Sequence, residues 1–144
     1  MKLSVLKGSN ISLKTIKGNI LPKLQNWLLD SEINKFLDDS ECNLSINELK
    51  KIFPFENDKK NNVLFTIIYN NDNLAIGICG LQKIDYNRKD AYLRIIIGNR
   101  KFWDGRTALE SEKLLLKFAF QELKLNKVYS IINVKNLGQC NLVE

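Results

Sequence analysis

A chain of 144 residues with 44% apolar content is long enough for one domain with a real core and too short for two. Its 22 Lys and Arg against 16 Asp and Glu give a net charge of +6, but the cations are spread along the chain with no interleaved aromatic stripe, which argues against a nucleic-acid surface. Histidine is absent, Cys42, Cys79 and Cys140 form no CxxC pair, and no apolar run approaches the roughly 20 residues that cross a bilayer, so the usual zinc sites, histidine triads and membrane spans fall away.

The N-terminal MKLSVLKGSN lacks the apolar run and cleavage site of a signal peptide, so the expectation is a cytoplasmic chain with reduced thiols. Ile11 to Ile16 alternates apolar and polar residues, the period of a half-buried strand, and Lys17-Gly18-Asn19 closes it with turn residues. A helix follows from Leu21 to Leu29, with Pro22 in its first turn and Leu21, Leu24, Trp27 and Leu28 on one face. A second helical run is expected from Glu32 to Phe36. A third starts at Ser45, with Glu48 at the spacing of a capping box, and stops before Pro54. Between them lie Asp30, Glu32, Asp38, Asp39 and Glu41, five carboxylates against the single Lys35. They read either as solvated helix ends or as a wall that attracts a cationic acceptor.

Beyond a polar loop, Val63 to Tyr69 and Leu74 to Ile84 read as two strands joined by Asn70-Asn71-Asp72-Asn73, residues that accept positive φ. Gly77 and Gly80 inside the second strand point to a bulge or a close backbone approach. Asp85 to Asp90 reads as a turn into a third strand, Ala91 to Ile97. Then comes FWDGRTALESEKLLLKFAF, Phe102 to Phe120: a turn carrying Gly105 and a helix running to Leu125-Asn126. The first residues of that helix, Arg106, Thr107 and Ala108, would aim unpaired N–H groups and the positive dipole end at an anion. Ala108, Leu109, Leu115, Leu116, Phe118, Ala119, Phe120 and Leu123 share an apolar arc, and Glu110, Lys113, Lys117, Gln121 and Lys124 share the solvated one. A last strand, Lys127 to Val134, closes a strand–helix–strand crossover, which makes the final two strands parallel. The expected fold is α/β (α+β): a mixed, mostly antiparallel twisted sheet flanked by helices.

The run from IGICGLQKIDYNRKDAYLRIIIG through that turn and helix to FQELKLNKVYSIINVKN resembles the GNAT superfamily of acetyl-CoA-dependent N-acetyltransferases. The branch it is most similar to contains ribosomal-protein, spermidine and amino-sugar acetyltransferases. Trp27 to Ile33 is similar to that branch as well, so the resemblance covers Ile11 to Glu144. It implies a single acetyl-CoA-binding domain over residues 1–144. The family turn, Q/R-x-x-G-x-G/A, places Trp103 first, Asp104 and Gly105 as the variable pair, Arg106 where glycine is usual, then Thr107 and Ala108. Either Gly105 takes over the missing glycine's role by a shift of one residue, or the Arg106 guanidinium pairs with phosphate while Asp104 opposes it. Ile96, Ile97 and Gly98 at the strand end complete the cofactor-binding set with Asn136, and a backbone N–H there, assigned to Ile97, is the implied oxyanion donor.

The family tail reads N-x-x-S/A-x-x-x-Y-E. Asn136 and Glu144 match it, Gln139 and Val143 stand where Ser/Ala and Tyr are usual, and Cys140 is left beside the position that protonates the departing thiolate. Relatives continue through a Lys-x-Gly-Phe turn into two more strands, so the expectation is a missing C-terminal hairpin: either the chain is truncated, or another subunit, as in a homodimer, supplies the surface that closes the acceptor side. The implied reaction is direct acetyl transfer in a ternary complex, to a small-molecule amine or a protein N-terminus. The alternative is a non-catalytic or impaired acyl-CoA-binding or interaction module. No nucleic acid, membrane or metal is expected.

Overall fold

The structure, a computed structural model, describes residues 5–30, 33, 45–52 and 61–130. Six strands follow one another across one sheet in chain order: β1 Val5–Lys7, β2 Ile11–Thr15, β3 Val63–Tyr69, β4 Leu74–Asp85, β5 Asp90–Ile97 and β6 Lys127–Ser130. Neighbours are antiparallel except β5 and β6, which run parallel from Asp90–Lys127 to Leu93–Ser130, as the crossover argument requires. Three helices flank the sheet among the described residues: α1 Leu21–Leu29, α2 Ile46–Ile52 and α3 Arg106–Lys117.

Strand alternation sends alternate residues to opposite faces, and both faces are buried. On one, Ile11, Leu13, Phe65, Ile67, Leu81 and Leu93 meet Leu115, Phe118 and Ala119 of α3 and the turn after it, with the Phe65 and Phe118 rings edge to face at 5.7 Å. On the other, Leu64, Ile78 and Ile96 meet Leu21, Leu24 and Leu28 of α1 and Leu49 of α2. Burial on both sides explains why β3 reads as an apolar run interrupted only by the buried Thr66. α2 begins with the expected capping box: the Ser45 N–H donates to Glu48 Oε1 (3.1 Å) and the Glu48 N–H to Ser45 Oγ (3.2 Å).

β4 carries two irregularities. Ile67 pairs with Gly77 and Ile68 with Ala75, so Ile76 is an extra residue, bulged out of register beside Gly77. A Cβ on Gly77 would collide with the Ile96 carbonyl, and one on Gly80 with the Val63 carbonyl, which is the close backbone approach that these glycines imply. The second irregularity, between Gln82 and Asp85, holds Lys83 at φ 54° and has no glycine to mark it in the sequence. The hairpin before β4 turns at Asn73, at φ 51°, as its Asn-rich sequence suggests.

Several expectations need correction. β1 has no counterpart in the sequence reading. The long helix is α only to Lys117; Phe118–Glu122 is a π-helical turn, with the Leu123 N–H bonded to the Phe118 carbonyl at 3.1 Å. Its buried stripe is Thr107, Ser111 and Leu115, whereas Leu109 and Phe120 are exposed. Small side chains let the helix lie close to the sheet, a packing preference that an apolar-arc count cannot see. Asp90 is the buried first residue of β5, where its Oδ2 accepts from Arg88 Nε and Nη2 (3.0 and 2.9 Å). Asp85 does act as a turn residue, its Oδ1 accepting from the N–H groups of Asn87 and Arg88 (both 3.0 Å). The expected helix Glu32 to Phe36 and the end of the last strand lie outside the described residues. No helix among the described residues is long and apolar enough to cross a membrane.

Candidate active site

The end of β5 is fixed by backbone bonds before any side chain acts. The bulged Ile76 carbonyl accepts from both the Gly98 N–H (2.8 Å) and the Asn99 N–H (3.2 Å). Successive N–H groups of a strand point to opposite sides, so with Gly98 turned toward β4 the Ile97 N–H turns toward the β6 side. The described β5–β6 pairs stop at Leu93–Ser130, and Ile97 lies beyond them. The Ile97 carbonyl accepts the Trp103 indole N–H at 2.8 Å. The Ile97–Gly98 peptide is thus held at both of its polar groups, by Trp103 on one side and Ile76 on the other. Gly98 is buried beneath α1, and a Cβ there would overlap the Trp27 indole.

Past Gly98, Asn99 Oδ1 accepts the Lys101 N–H (3.0 Å) and caps a single 3-10 turn, Arg100–Phe102, whose Phe102 ring meets Tyr69 at 4.8 Å. Gly105 then sits at φ 85°, ψ −23°, in the left-handed region that glycine enters without steric cost, and α3 starts at Arg106. The conformational freedom that the family turn draws from a glycine at position 106 is therefore supplied at position 105. The Arg106 N–H donates to Asp104 Oδ1 (3.0 Å), so a carboxylate already occupies one of the donors at the helix start. Thr107 and Ala108 supply the next N–H groups, with the Thr107 side chain buried and Arg106 exposed.

The element order, the parallel last pair and this turn can be compared with known proteins. The acetyltransferase (GNAT) domain model matches residues 12–144. The chain belongs to the GNAT acetyltransferase family. Membership makes it an N-acetyltransferase whose acetyl donor is acetyl-CoA. No curated protein matches it by sequence. Among solved structures it is similar to the spermidine N-acetyltransferase of Vibrio cholerae in complex with CoA and spermine, with TM-score 0.79 and 20% identity over 94% of this chain and 79% of that one. A GNAT-family acetyltransferase from Bacillus anthracis is also similar, with TM-score 0.77 and 16% identity over 96% of this chain and 80% of the other. At these identities the likeness concerns the fold.

The residues present fit the donor's pyrophosphate. Gly105 provides the backbone reversal, the start of α3 provides N–H groups and the positive dipole end, and Arg106 adds a cation; Asp104 is an opposing charge. Ile96, Ile97 and Gly98 at the β5 end and Trp103, Asp104, Gly105, Arg106, Thr107 and Ala108 at the α3 start are joined by Asn99 and the 3-10 turn Arg100–Phe102. Asn136 and Cys140 lie outside the described residues, as do Gln139, Val143 and Glu144. Cys79 is described and buried, and burial pushes its thiol up to where it stays protonated. Asp30, which the sequence reading places in an acidic wall, is paired with Arg100 through Nε (3.1 Å) and Nη2; Glu32, Asp38, Asp39 and Glu41 lie outside the described residues.

The sequence places Trp103 in the turn by motif position alone, and its bond to the Ile97 carbonyl has no sequence signal. Glu110, assigned to the solvated arc, accepts from the N–H groups of Asn10 (3.0 Å) and Ile11 (3.1 Å) and from Asn10 Nδ2 (3.2 Å), fastening α3 to the β1–β2 turn. An open concavity of about 500 Å³, lined by Asn61, Lys83, Asp85, Tyr86 and Asn87 among others, lies at the β4–β5 turn. That is the other end of β5, roughly 25 Å of strand away from Gly98.

Proposed function

We propose that this chain acetylates a primary amine by direct attack within a ternary complex, with no acyl-enzyme stage. The supporting observation is the left-handed Gly105 at the start of α3, next to an Ile97–Gly98 peptide locked at both ends. When bound, acetyl-CoA supplies an acetyl group activated as a thioester. The chain's part is to hold the pyrophosphate on the Thr107 and Ala108 N–H groups and the Arg106 cation. It also directs the Ile97 N–H toward the oxygen on which negative charge builds, without reorganisation at the moment of reaction. Asn136 and Cys140 remain the proposed groups on the thiolate side. The acceptor we favour is a small cationic amine of the polyamine type, in keeping with the carboxylates Glu32, Asp38, Asp39 and Glu41 in the sequence, Asp30 being paired with Arg100, and with the spermine-bound relative. A protein N-terminus is the second acceptor class. We read residues 1–144 as one domain acting in the cytoplasm, with a second copy closing the acceptor side.

Asp104 favours one further reading. Its carboxylate competes with phosphate for the Arg106 N–H, which predicts weaker acetyl-CoA binding than a turn with neutral residues there. The test is free-thiol release from acetyl-CoA with spermidine, an amino sugar and a short peptide as acceptors, alongside calorimetric titration with CoA. Turnover with one amine class supports the enzyme reading. Saturable CoA binding with no turnover on any of them supports the binding-module alternative instead.

A further inference from the structure

The end of β5 has a different neighbour on each face of the sheet. Ile95 and Ile97 join the core under α3, whereas Ile96 belongs to the cluster under α1. Gly98 follows Ile96 onto the α1 side, and the Trp27 indole fills the space that a side chain there would take. That ring is held in place. Trp27 packs against the cluster that contains Leu24, Leu28, Ile78 and Ile96. One turn earlier on α1, the Lys23 ammonium stands 5.6 Å from the ring centroid, within cation–π range. The α1 face of the strand end is therefore closed by a large, rigid, apolar surface next to the residue whose N–H is the proposed oxyanion donor.

We infer that Trp27 limits the length of the acyl chain that the donor site accepts, admitting acetyl and refusing butyryl. The inference rests on the acetyl-CoA reading above. A thioester oxygen that accepts the Ile97 N–H lies near the plane of the sheet, because strand N–H groups point along that plane. The carbonyl carbon is trigonal, so the sulfur and the acyl chain diverge from it. The sulfur takes the α3 side, since the pyrophosphate of the same molecule is held at the start of α3. The acyl chain is left the α1 side, where the Trp27 indole closes the end of the strand. A ring fixed between Gly98 and Lys23 does not fold away as an exposed leucine would. Added methylenes therefore overpack the site rather than gain an apolar contact.

The experiment is calorimetric titration of the full chain with CoA, acetyl-CoA, propionyl-CoA and butyryl-CoA, repeated on Trp27→Leu and Trp27→Phe. In the native chain CoA and acetyl-CoA bind alike, and butyryl-CoA binds more weakly, on the order of 10- to 100-fold. Trp27→Leu brings butyryl-CoA to within about 3-fold of acetyl-CoA and leaves the affinity for CoA itself unchanged. Trp27→Phe gives an intermediate ratio, and it carries the test if circular dichroism shows the leucine variant unfolded. A Trp27 that serves only packing would move all four affinities together. An unchanged butyryl-to-acetyl ratio in the folded variants therefore overturns the inference, as does a native chain that binds butyryl-CoA as tightly as acetyl-CoA; in both cases the acetyl-CoA reading stands. If the native chain binds none of the four, that reading fails and takes the inference with it.

Discussion

Replacing Glu110 with alanine removes a carboxylate that holds three donors of the β1–β2 turn at once. Two of these are backbone N–H groups, at 3.0 and 3.1 Å, and the third is the Asn10 amide at 3.2 Å. Asn10 is exposed, and water replaces its bonds at little cost. Ile11 is fully buried as a residue, and its N–H has no such substitute. Losing a charged acceptor from one buried donor costs about 1–3 kcal/mol, and the two exposed bonds add a few tenths each, so we expect a loss of about 2–3 kcal/mol. For a chain of this length that lowers Tm by roughly 5–12 °C. Gly8 also packs against Glu110 Oε2, so Gly8→Ala should perturb the same junction from the other side. Urea unfolding followed by circular dichroism measures the loss, with the slope unchanged if the unfolded state is unaffected. A loss below about 0.5 kcal/mol would place Glu110 among ordinary surface charges and refute the reasoning.

Four more outcomes follow from the same contacts. Gly105→Ala forces a Cβ into the left-handed region at φ 85° and should cost about 1–2 kcal/mol of stability; calorimetry should also show weaker CoA binding, and unchanged binding would separate the turn from the donor site. Ser111 is fully buried with no partner for its hydroxyl, so Ser111→Ala should raise the urea midpoint, and a fall would mean that the hydroxyl is satisfied. The Ser45 N–H and hydroxyl bonds hold the Glu48 carboxyl below its ordinary value of 4.5, so the stability it adds is present above that pH and lost as pH falls through its folded value; Glu48→Gln should flatten the acid limb of a stability–pH curve. Partial burial raises Glu112 above 4.5, so its contribution declines as pH rises from 4.5 through the folded value. Glu112→Gln should therefore be the more stable protein at pH 7 and no different at pH 3.

Local chemistry made much of this legible from sequence. The Ser45–Glu48 box, the Asn70–Asn73 turn, the α1 face and the glycine-marked irregularity in β4 each depend on residues within a few positions of one another, and each stands where its sequence puts it. What was not legible depends on distant partners. β1 is three residues long, too short for periodicity, and exists because Val5 to Lys7 pair with Ser12 to Lys14. Glu110 reads as solvent-facing because its partners lie about a hundred residues earlier. Asp30 reads as one of an acidic group until Arg100, seventy residues away, is found gripping it. In the turn, the sequence could say that a glycine was displaced by one position but not whether the backbone would follow it, and the positive φ at Gly105 decides that question.

The bulge at Ile76 links these local rules to the candidate site. β4 pairs with β5 as far as Gly77–Ile97, Ile97 being the last residue of β5, and the residue bulged out of register with β3, Ile76, falls just beyond that pair. One extra residue twists the strand and turns the Ile76 carbonyl to the place where Gly98 and Asn99 can share it. That sharing ends β5, starts the 3-10 turn and brings Trp103 back onto the Ile97 carbonyl. Gly77 is needed beside the bulge because the Ile96 carbonyl leaves no room for a Cβ, and Gly98 is needed opposite because Trp27 leaves none either. Two glycines and one out-of-register residue therefore set the direction of the Ile97 N–H, and no ionisable side chain is required to aim it. The electrostatics of this site are built into the backbone, so substitutions that disturb the bulge should damage donor positioning more than substitutions of the exposed charges around it.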